Sequence, residues 1–279
     1  MPDCYAVVGD PIAHSKSPLI HRLFAEQTGQ DMVYEAIRID RARPFAPAMG
    51  ALVRQGYRGF NVTVPHKLAA HDLANTLTPR AQRAGAVNTL VVEADGSLTG
   101  DNTDGIGLVQ DITELVGLPL TGRRLLILGA GGAVQGVLEP LLAERPAALH
   151  IANRTADKAQ RLAEAFADLA GETALSAGGL DKLKQLDTFD VIINGTAASL
   201  QGEALDLPIH LLAPDGLAYD MMYGKAPTPF LRWAERVQPA AERRDGLGML
   251  VCQAAAAFEI WRGVRPNAET TLAQVRQKL

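Results

Sequence analysis

The run LLILGAGGAV, residues 125–134, constrains the fold of this chain more than any other stretch. Its four leading apolar residues do not alternate with polar ones, so they read as a strand buried on both faces, as in a sheet covered by helices. Glycine and alanine fill 129–133, and from about 133 to 144 apolar residues recur at helical spacing. A strand that passes through glycines directly into a helix is the first half of a βαβ unit. Such a turn lets backbone N–H groups and the helix N-terminus approach a pyrophosphate. Gly129, Ala130, Gly131, Gly132 and Ala133 are therefore candidate dinucleotide binders. The match to GxGxxG is imperfect, because Val134 fills the third glycine position. Glycines alone also suit a purely structural turn; their place between strand and helix favours the nucleotide.

The same alternation extends in both directions. Upstream, strands are expected at 5–8, 33–39, within NVTVPHK (61–67) and at 88–92. Ser17-Pro18 opens a helix, with Ser17 as N-cap and Pro18 as its first residue, and Gly29 closes it. Another helix is expected over 45–55. Downstream of a helix over 106–116, a second series follows: strands at 125–129, 149–153 and 190–195, helices over 133–144 and 156–169, and 218–223 as the last strand. A tail helix closes at Gly263. The order βαβα predicts the α/β class with mainly parallel sheets, and 279 residues suit two domains of ~150 each.

Composition removes several function classes. Lys and Arg total 27 against 31 Asp and Glu, a net charge of −4, which gives no support for binding nucleic acid or an anionic membrane through bulk charge. No apolar run approaches the ~20 residues of a membrane span. The opening MPDCYAVVGDP reads as a first strand rather than a signal peptide. Cys4 and Cys252 lie far apart without CxxC spacing, so a reducing cytoplasm is expected. The six histidines show no HExxH or HxH spacing, and no metal is expected. No apolar stripe marks a dimer face, which leaves monomer and homodimer open.

The second strand of the glycine unit discriminates between nucleotides. An NAD site places a carboxylate near this strand's end to accept the ribose 2′-OH. Here the strand ends in Asn153-Arg154-Thr155, with Lys158 a turn further and Asp157 already inside the next helix. Two cations beside Asn and Thr suit a 2′-phosphate, so NADP is expected over NAD. In the first half, polar residues cluster at or beyond the ends of expected strands: Ser15 and Ser17, Thr63 and Lys67, Asn88, and Asp104. Each has a structural alternative, such as a cap or a turn. Together they offer hydroxyl, amide, cation and carboxylate to a small polyhydroxylated acid. Period two in NVTVPHK puts Thr63, Pro65 and Lys67 on one side and Val62 and Val64 on the other, so the strand reads as a mount for Lys67.

In order along the chain, GDPIAHSKSP, NVTVPHK, AGAVNTL, GDNTDGIG, LGAGGA, ANRT, YDMMYGKAPTPF and DGLGMLVCQAA resemble the shikimate dehydrogenase family, across residues 5 to about 263. The resemblance implies an N-terminal α/β substrate domain (1–104 plus 247–279) and a Rossmann-type domain (105–246). It implies NADPH-dependent, reversible reduction of 3-dehydroshikimate to shikimate in aromatic amino-acid precursor synthesis. Lys67 and Asp104 would be the catalytic pair, Ser15 and Ser17 would hold the substrate carboxylate, and Thr63, Asn88, Tyr223 and Gln253 would contact the rest. Residues 129–133 would cradle the pyrophosphate; Asn153, Arg154, Thr155 and Lys158 would hold the 2′-phosphate; Met221 and Gly246 would border the nicotinamide.

This chain departs from the family pattern at Lys158, where arginine is usual, at Gly195 and Ala197, where Ala and Ser are expected, and at Pro79, where a polar residue near the cofactor is usual. Lysine keeps the charge and loses bidentate geometry, which predicts a weaker NADP preference. A related class oxidises quinate as well, often with NAD. Arg154 and Lys158 argue against NAD use, and the Ser15/Ser17 pair favours a strict shikimate enzyme. A non-catalytic binder on the same scaffold would have no need of both Lys67 and Asp104.

Overall fold

The computed structural model describes residues 2–196 and 205–279. By its internal contacts the chain divides into two compact units, one of residues 1–107 and 250–278, the other of 108–249 with Leu279.

The first unit contains β1 (Asp3–Gly9), α1 (Ser17–Thr28), β2 (Met32–Arg38), α2 (Phe45–Arg54), β3 (Tyr57–Val62), α3 (Lys67–Leu73), β4 (Thr76–Leu77), α4 (Pro79–Ala84), β5 (Thr89–Val92) and β6 (Leu98–Asp101). Its sheet has the order β2-β1-β3-β5-β6-β4. β1 runs parallel to β2 and β3, whereas β5 pairs antiparallel with β3 and β6. The β5–β6 hairpin turns at Asp95-Gly96, where Gly96 has φ +85°. Period two sorts β1: Ala6 and Val8 join Phe60, Val62 and Met49 in one core layer, while Tyr5 stacks on Trp261 with centroids 4.9 Å apart. Gly59 is glycine because any Cβ there would collide with the Trp261 indole.

In the second unit the chain continues through β7 (Arg124–Leu128), after α5 (Asp104–Gln110) and a π-helical turn at Asp111–Leu115. Then come α6 (Gly132–Ala143), β8 (Ala148–Asn153), α7 (Ala156–Ala165), β9 (Ala174–Gly179), β10 (Phe189–Asn194), β11 (Leu212–Asp220), α8 (Pro229–Val237) and β12 (Glu242–Asp245). α9 (Leu247–Arg262) and α10 (Ala268–Arg276) complete the chain. The sheet order β12-β11-β10-β7-β8-β9 is parallel throughout, the doubly wound arrangement with a crossover at β7/β10. Leu125 and Ile127 face one apolar layer, Leu126 and Leu128 the other.

Several expectations need correcting. Residues 218–223 are not the last strand: β11 ends at Asp220, and β12 lies beyond it. The helix expected over 106–116 starts at Asp104 and widens into the π turn, where buried Asp111 accepts from Tyr219 Oη at 2.6 Å and pairs with Arg244. The helix expected over 156–169 stops at Ala165, and a separate 3₁₀ turn covers Ala167–Leu169. Ser17 is not the N-cap of α1 but its first residue; Lys16 takes the cap position without a side-chain bond.

Candidate functional site

The strand in NVTVPHK ends at Val62, so Lys67 is not mounted on a strand. Thr63 keeps one ladder bond, its N–H donating to Val8 O at 2.9 Å, and then His66 N–H donates back to Thr63 O at 3.0 Å. Pro65 brings no N–H to extend the ladder. Val64 is therefore not anchored in the sheet but exposed, and Lys67 becomes the first residue of α3. His66 holds the turn from below: its ring stacks on Phe45 and its Nε2 lies 2.7 Å from Ile39 O.

From that helix start, Lys67 Nζ donates to Asp104 Oδ2 at 2.5 Å, with the two side chains 33% and 16% exposed. The pair is formed yet open to a ligand. Asp104 begins α5; its N–H donates to Asn102 Oδ1 at 3.1 Å. Its second oxygen accepts from Asn88 Nδ2 at 2.8 Å. Asn88 Nδ2 also lies 3.3 Å from Gln253 Oε1, and Asn88 Oδ1 accepts from Thr103 N–H at 2.9 Å. Gln253 donates to Leu250 O at 2.9 Å. Lys67, Asn88, Asp104 and Gln253 thus form one connected cluster. Ser15 and Ser17 form another: Ser15 Oγ accepts from Ser17 N–H at 3.3 Å. The Ser17 side chain has no capping task and neighbours the Tyr34 hydroxyl.

The sequence reading missed the buried network beneath these clusters. Asn61 uses its whole amide: Oδ1 accepts from Tyr34 Oη at 2.6 Å and lies 3.2 Å from His21 Nε2, while Nδ2 donates to Asn88 O and Thr89 Oγ1. Asn61 is therefore the link between the Ser17–Tyr34 end and the Asn88–Asp104 end. A polar residue in a central strand is the signal that could have found it, since buried amides are satisfied. Burial drives Tyr34 well above the ordinary tyrosine range and His21 down to about 3. Both are therefore neutral at physiological pH.

In the second unit, Gly129 has φ +112°, a conformation that favours glycine, at the end of β7. A Cβ on Gly131 or Gly132 would meet open space, and α6 begins at Gly132 with Gly131 at its N-cap and no side chain capping it. That is the cradle a pyrophosphate needs. Thr155 takes the N-cap position of α7 without using its hydroxyl as a cap, and Arg154, Thr155 and Lys158 are exposed. Asn153 Nδ2 donates to Thr155 O at 2.9 Å, bracing that loop. The residues present fit a phosphorylated ribose. Gly246 is brought against Met221, whose carbonyl leaves no room for a Cβ there. Tyr223 is half-buried; burial first, then the charge of Asp245, raises its phenol.

Two departures explain one another. A Cβ at Gly195 would lie 2.5 Å from Val134 Cγ2, so the valine in the glycine loop requires the glycine at the end of β10. Pro79 starts α4, capped by Thr78. Ala197 lies outside the described residues.

Three family profiles match the chain: "Shikimate dehydrogenase substrate binding domain" over residues 7–90, "Shikimate / quinate 5-dehydrogenase" over 108–201 and "Shikimate 5'-dehydrogenase C-terminal domain" over 246–276. A shikimate dehydrogenase (NADP(+)) of Hydrogenovibrio crunogenus is 54% identical, over 99% of each chain. Another, of Dechloromonas aromatica, is 56% identical over 100% of this chain and 99% of its own. Among solved structures, shikimate 5-dehydrogenase from Thermus thermophilus in complex with NADP(H) and shikimate superposes with TM-score 0.85 at 34% identity, covering 99% of this chain and 100% of its own. An Ael1 enzyme from Pseudomonas putida reaches TM-score 0.90 at 44% identity, over 98% and 97% of the two chains.

Proposed function

The chain belongs to the shikimate dehydrogenase family, and we propose that Lys67 and Asp104 carry the proton chemistry by which it interconverts 3-dehydroshikimate and shikimate with NADP(H). The observation that carries this reading is the 2.5 Å Lys67–Asp104 contact, made by side chains that remain partly exposed. NADP(H), when bound, supplies or accepts the hydride at the carbonyl carbon.

The protein's own part is to hold the substrate and manage one proton. An ammonium has three N–H donors, and Asp104 takes one, which leaves two for a substrate oxygen. As the carbonyl gains hydride its oxygen becomes an alkoxide, and Lys67 donates a hydrogen bond or the proton to it. Asp104, fixed through one oxygen by Asn88, orients Lys67 with the other and accepts from the neighbouring hydroxyl. Ser15 and Ser17 bind the carboxylate, Thr63 and Gln253 contact the ring substituents, and Tyr223 is a further proposed substrate contact.

The proposed substrate-binding domain is discontinuous, residues 1–104 with 247–279, and 105–246 is the proposed NADP-binding one. Residues 129–133 take the pyrophosphate, Asn153, Arg154, Thr155 and Lys158 the 2′-phosphate, and Met221 with Gly246 the nicotinamide edge. No helix among the described residues is long and apolar enough to cross a membrane. The cytoplasm is the proposed compartment, supported by two cysteines, Cys4 and Cys252, that lie far apart in the sequence without CxxC spacing.

The test is absorbance at the NADPH band with 3-dehydroshikimate. Lys67→Ala and Asp104→Asn should each lower turnover by ~10²–10⁴-fold, the worth of positioned acid–base help, while NADPH binding survives. Near-wild-type turnover in either variant means the pair is misassigned. Turnover on shikimate against quinate, with each cofactor, tests the proposed strictness.

A further inference from the structure

Asp101 is the carboxylate of GDNTDG that the proposed chemistry leaves without a task, and it is the more deeply buried one, 4% exposed. Its oxygens are fully engaged. Oδ1 accepts from Thr78 Oγ1, Arg80 Nε and Asn102 N–H, each at 2.7 Å, and Oδ2 accepts from Arg80 Nη2. A carboxylate already holding four donors is not a reacting group. What it fixes is the backbone on either side of it.

That backbone leads to Asp104 by two routes. Through its side chain, Asp101 holds Asn102, whose Nδ2 donates to Ala86 O at 3.0 Å and whose Oδ1 accepts the Asp104 N–H at 3.1 Å. Asn102 is thereby the residue that starts α5 with Asp104 in its first position. Through its main chain, Asp101 O accepts from Asn88 N–H at 3.0 Å, and Asn88 in turn holds Asp104 Oδ1 at 2.8 Å. Both routes meet on one carboxylate.

We propose that Arg80 and Asp101 are a positioning pair that sets Asp104 against Lys67, with Arg80 on α4 as the clamp. This inference rests on the assignment of Lys67 and Asp104 as the reacting pair. Arginine suits the role because its planar fork grips both oxygens and so fixes the rotation of the carboxylate; lysine offers a point charge that does not. Releasing the clamp lets the 101–104 segment shift, and a misplacement of ~1 Å at reacting groups costs up to ~10²-fold in rate.

Steady-state kinetics of the full-length enzyme test this, with kcat expressed per mole of NADPH-binding protein. Arg80→Ala should lower kcat about 10- to 100-fold, with KM for 3-dehydroshikimate and for NADPH each within about threefold of wild type. Arg80→Lys should recover part of the loss, because charge returns without the fork. Asp101→Asn, which keeps the side chain's size, should reproduce the Arg80→Ala pattern and serves if that variant folds poorly. Arg262→Gln breaks another ion pair of the first unit, with Asp3, and should keep wild-type kcat. The proposal is overturned by Arg80→Ala or Asp101→Asn within about twofold of wild-type kcat, by Arg80→Lys no better than alanine, or by a loss that vanishes on normalisation. Lys67→Ala separates the two levels. If it keeps turnover, the catalytic assignment fails and the clamp with it. If it collapses while Arg80→Ala does not, only the clamp fails.

Discussion

His21 should make the first unit acid-labile well above the carboxylate range. Its ring is fully buried among Phe24, Tyr34, Phe258 and Trp261, with Tyr34 stacked 4.0 Å away and Asn61 Oδ1 as its hydrogen-bond partner. None of these neighbours carries a charge that would stabilise an imidazolium. Burial, opposed only by the Asn61 bond, lowers its pKa from 6.5 to about 3. The folded value lies below the unfolded one, so the stabilisation is complete above pH 6.5 and is lost as pH falls toward 3. Between those limits only the unfolded chain takes up the proton, and each pH unit costs about 1.4 kcal/mol. From pH 7 to pH 5 the loss is about 2 kcal/mol, or roughly 4–8 °C in Tm for a chain of this size. His21→Phe keeps the ring packing and removes the titration, and it forgoes one hydrogen bond worth about 1 kcal/mol at every pH. Urea unfolding, followed by Trp261 fluorescence in a Trp233→Phe background, should show wild-type stability falling by about 2 kcal/mol relative to His21→Phe from pH 7 to pH 5, from an advantage of about 1 kcal/mol to a deficit of about 1 kcal/mol. Parallel stability curves for the two proteins over that range would refute a neutral buried His21.

Three further outcomes are expected. Gly195→Ala should cost about 1–3 kcal/mol through its clash with Val134, and Val134→Ala in the same chain should restore most of it, a coupling read by a double-mutant cycle of thermal stability. Lys158→Arg should tighten NADP binding about threefold and leave NAD unchanged, because the fork gains a bidentate phosphate contact; fluorescence titration with both cofactors checks it. Asp10, held down to about 2 by its bond to the Arg38 side chain and by the Arg41 N–H, stabilises the fold above about pH 4 and ceases to as pH falls through 2. Asp10→Asn should flatten the acid limb of the stability curve in that window.

The legible parts of the fold were those with a local signature. β7, β8 and β10 are apolar runs buried on both faces, and Gly29 and Gly263 close their helices with φ +65° and +68°. β6 (LTGD), β9 (ALSAGG) and β12 (ERRD) lack such a signature; pairing with neighbours makes them strands, which no local pattern records. The candidate site divides in the same way. Lys67, Asp104 and the glycine loop stand out as residues that the surrounding pattern does not need. Asn61, Tyr34, Asp101 and Arg80 do not, because each acts through a partner distant in sequence. Val134 and Gly195 illustrate the limit: each reads as an isolated departure, and only their packing shows that one compensates the other.

Lys67 carries the strongest physical indication of purpose precisely where the strand reading failed. At the first position of α3 its positive charge opposes the helix dipole, and no acidic residue shares that first turn. A solvated lysine gains nothing from this placement. Asp104, by contrast, opens α5, where a carboxylate is favoured. One member of the pair obeys the local rule and the other breaks it, and the contact between them offsets the breach. Violations of local preference collect at functional sites. The turn at Thr63–His66 brings Lys67 out of the sheet and onto a helix start beside Asp104, the placement that the proposed role toward a substrate oxygen requires.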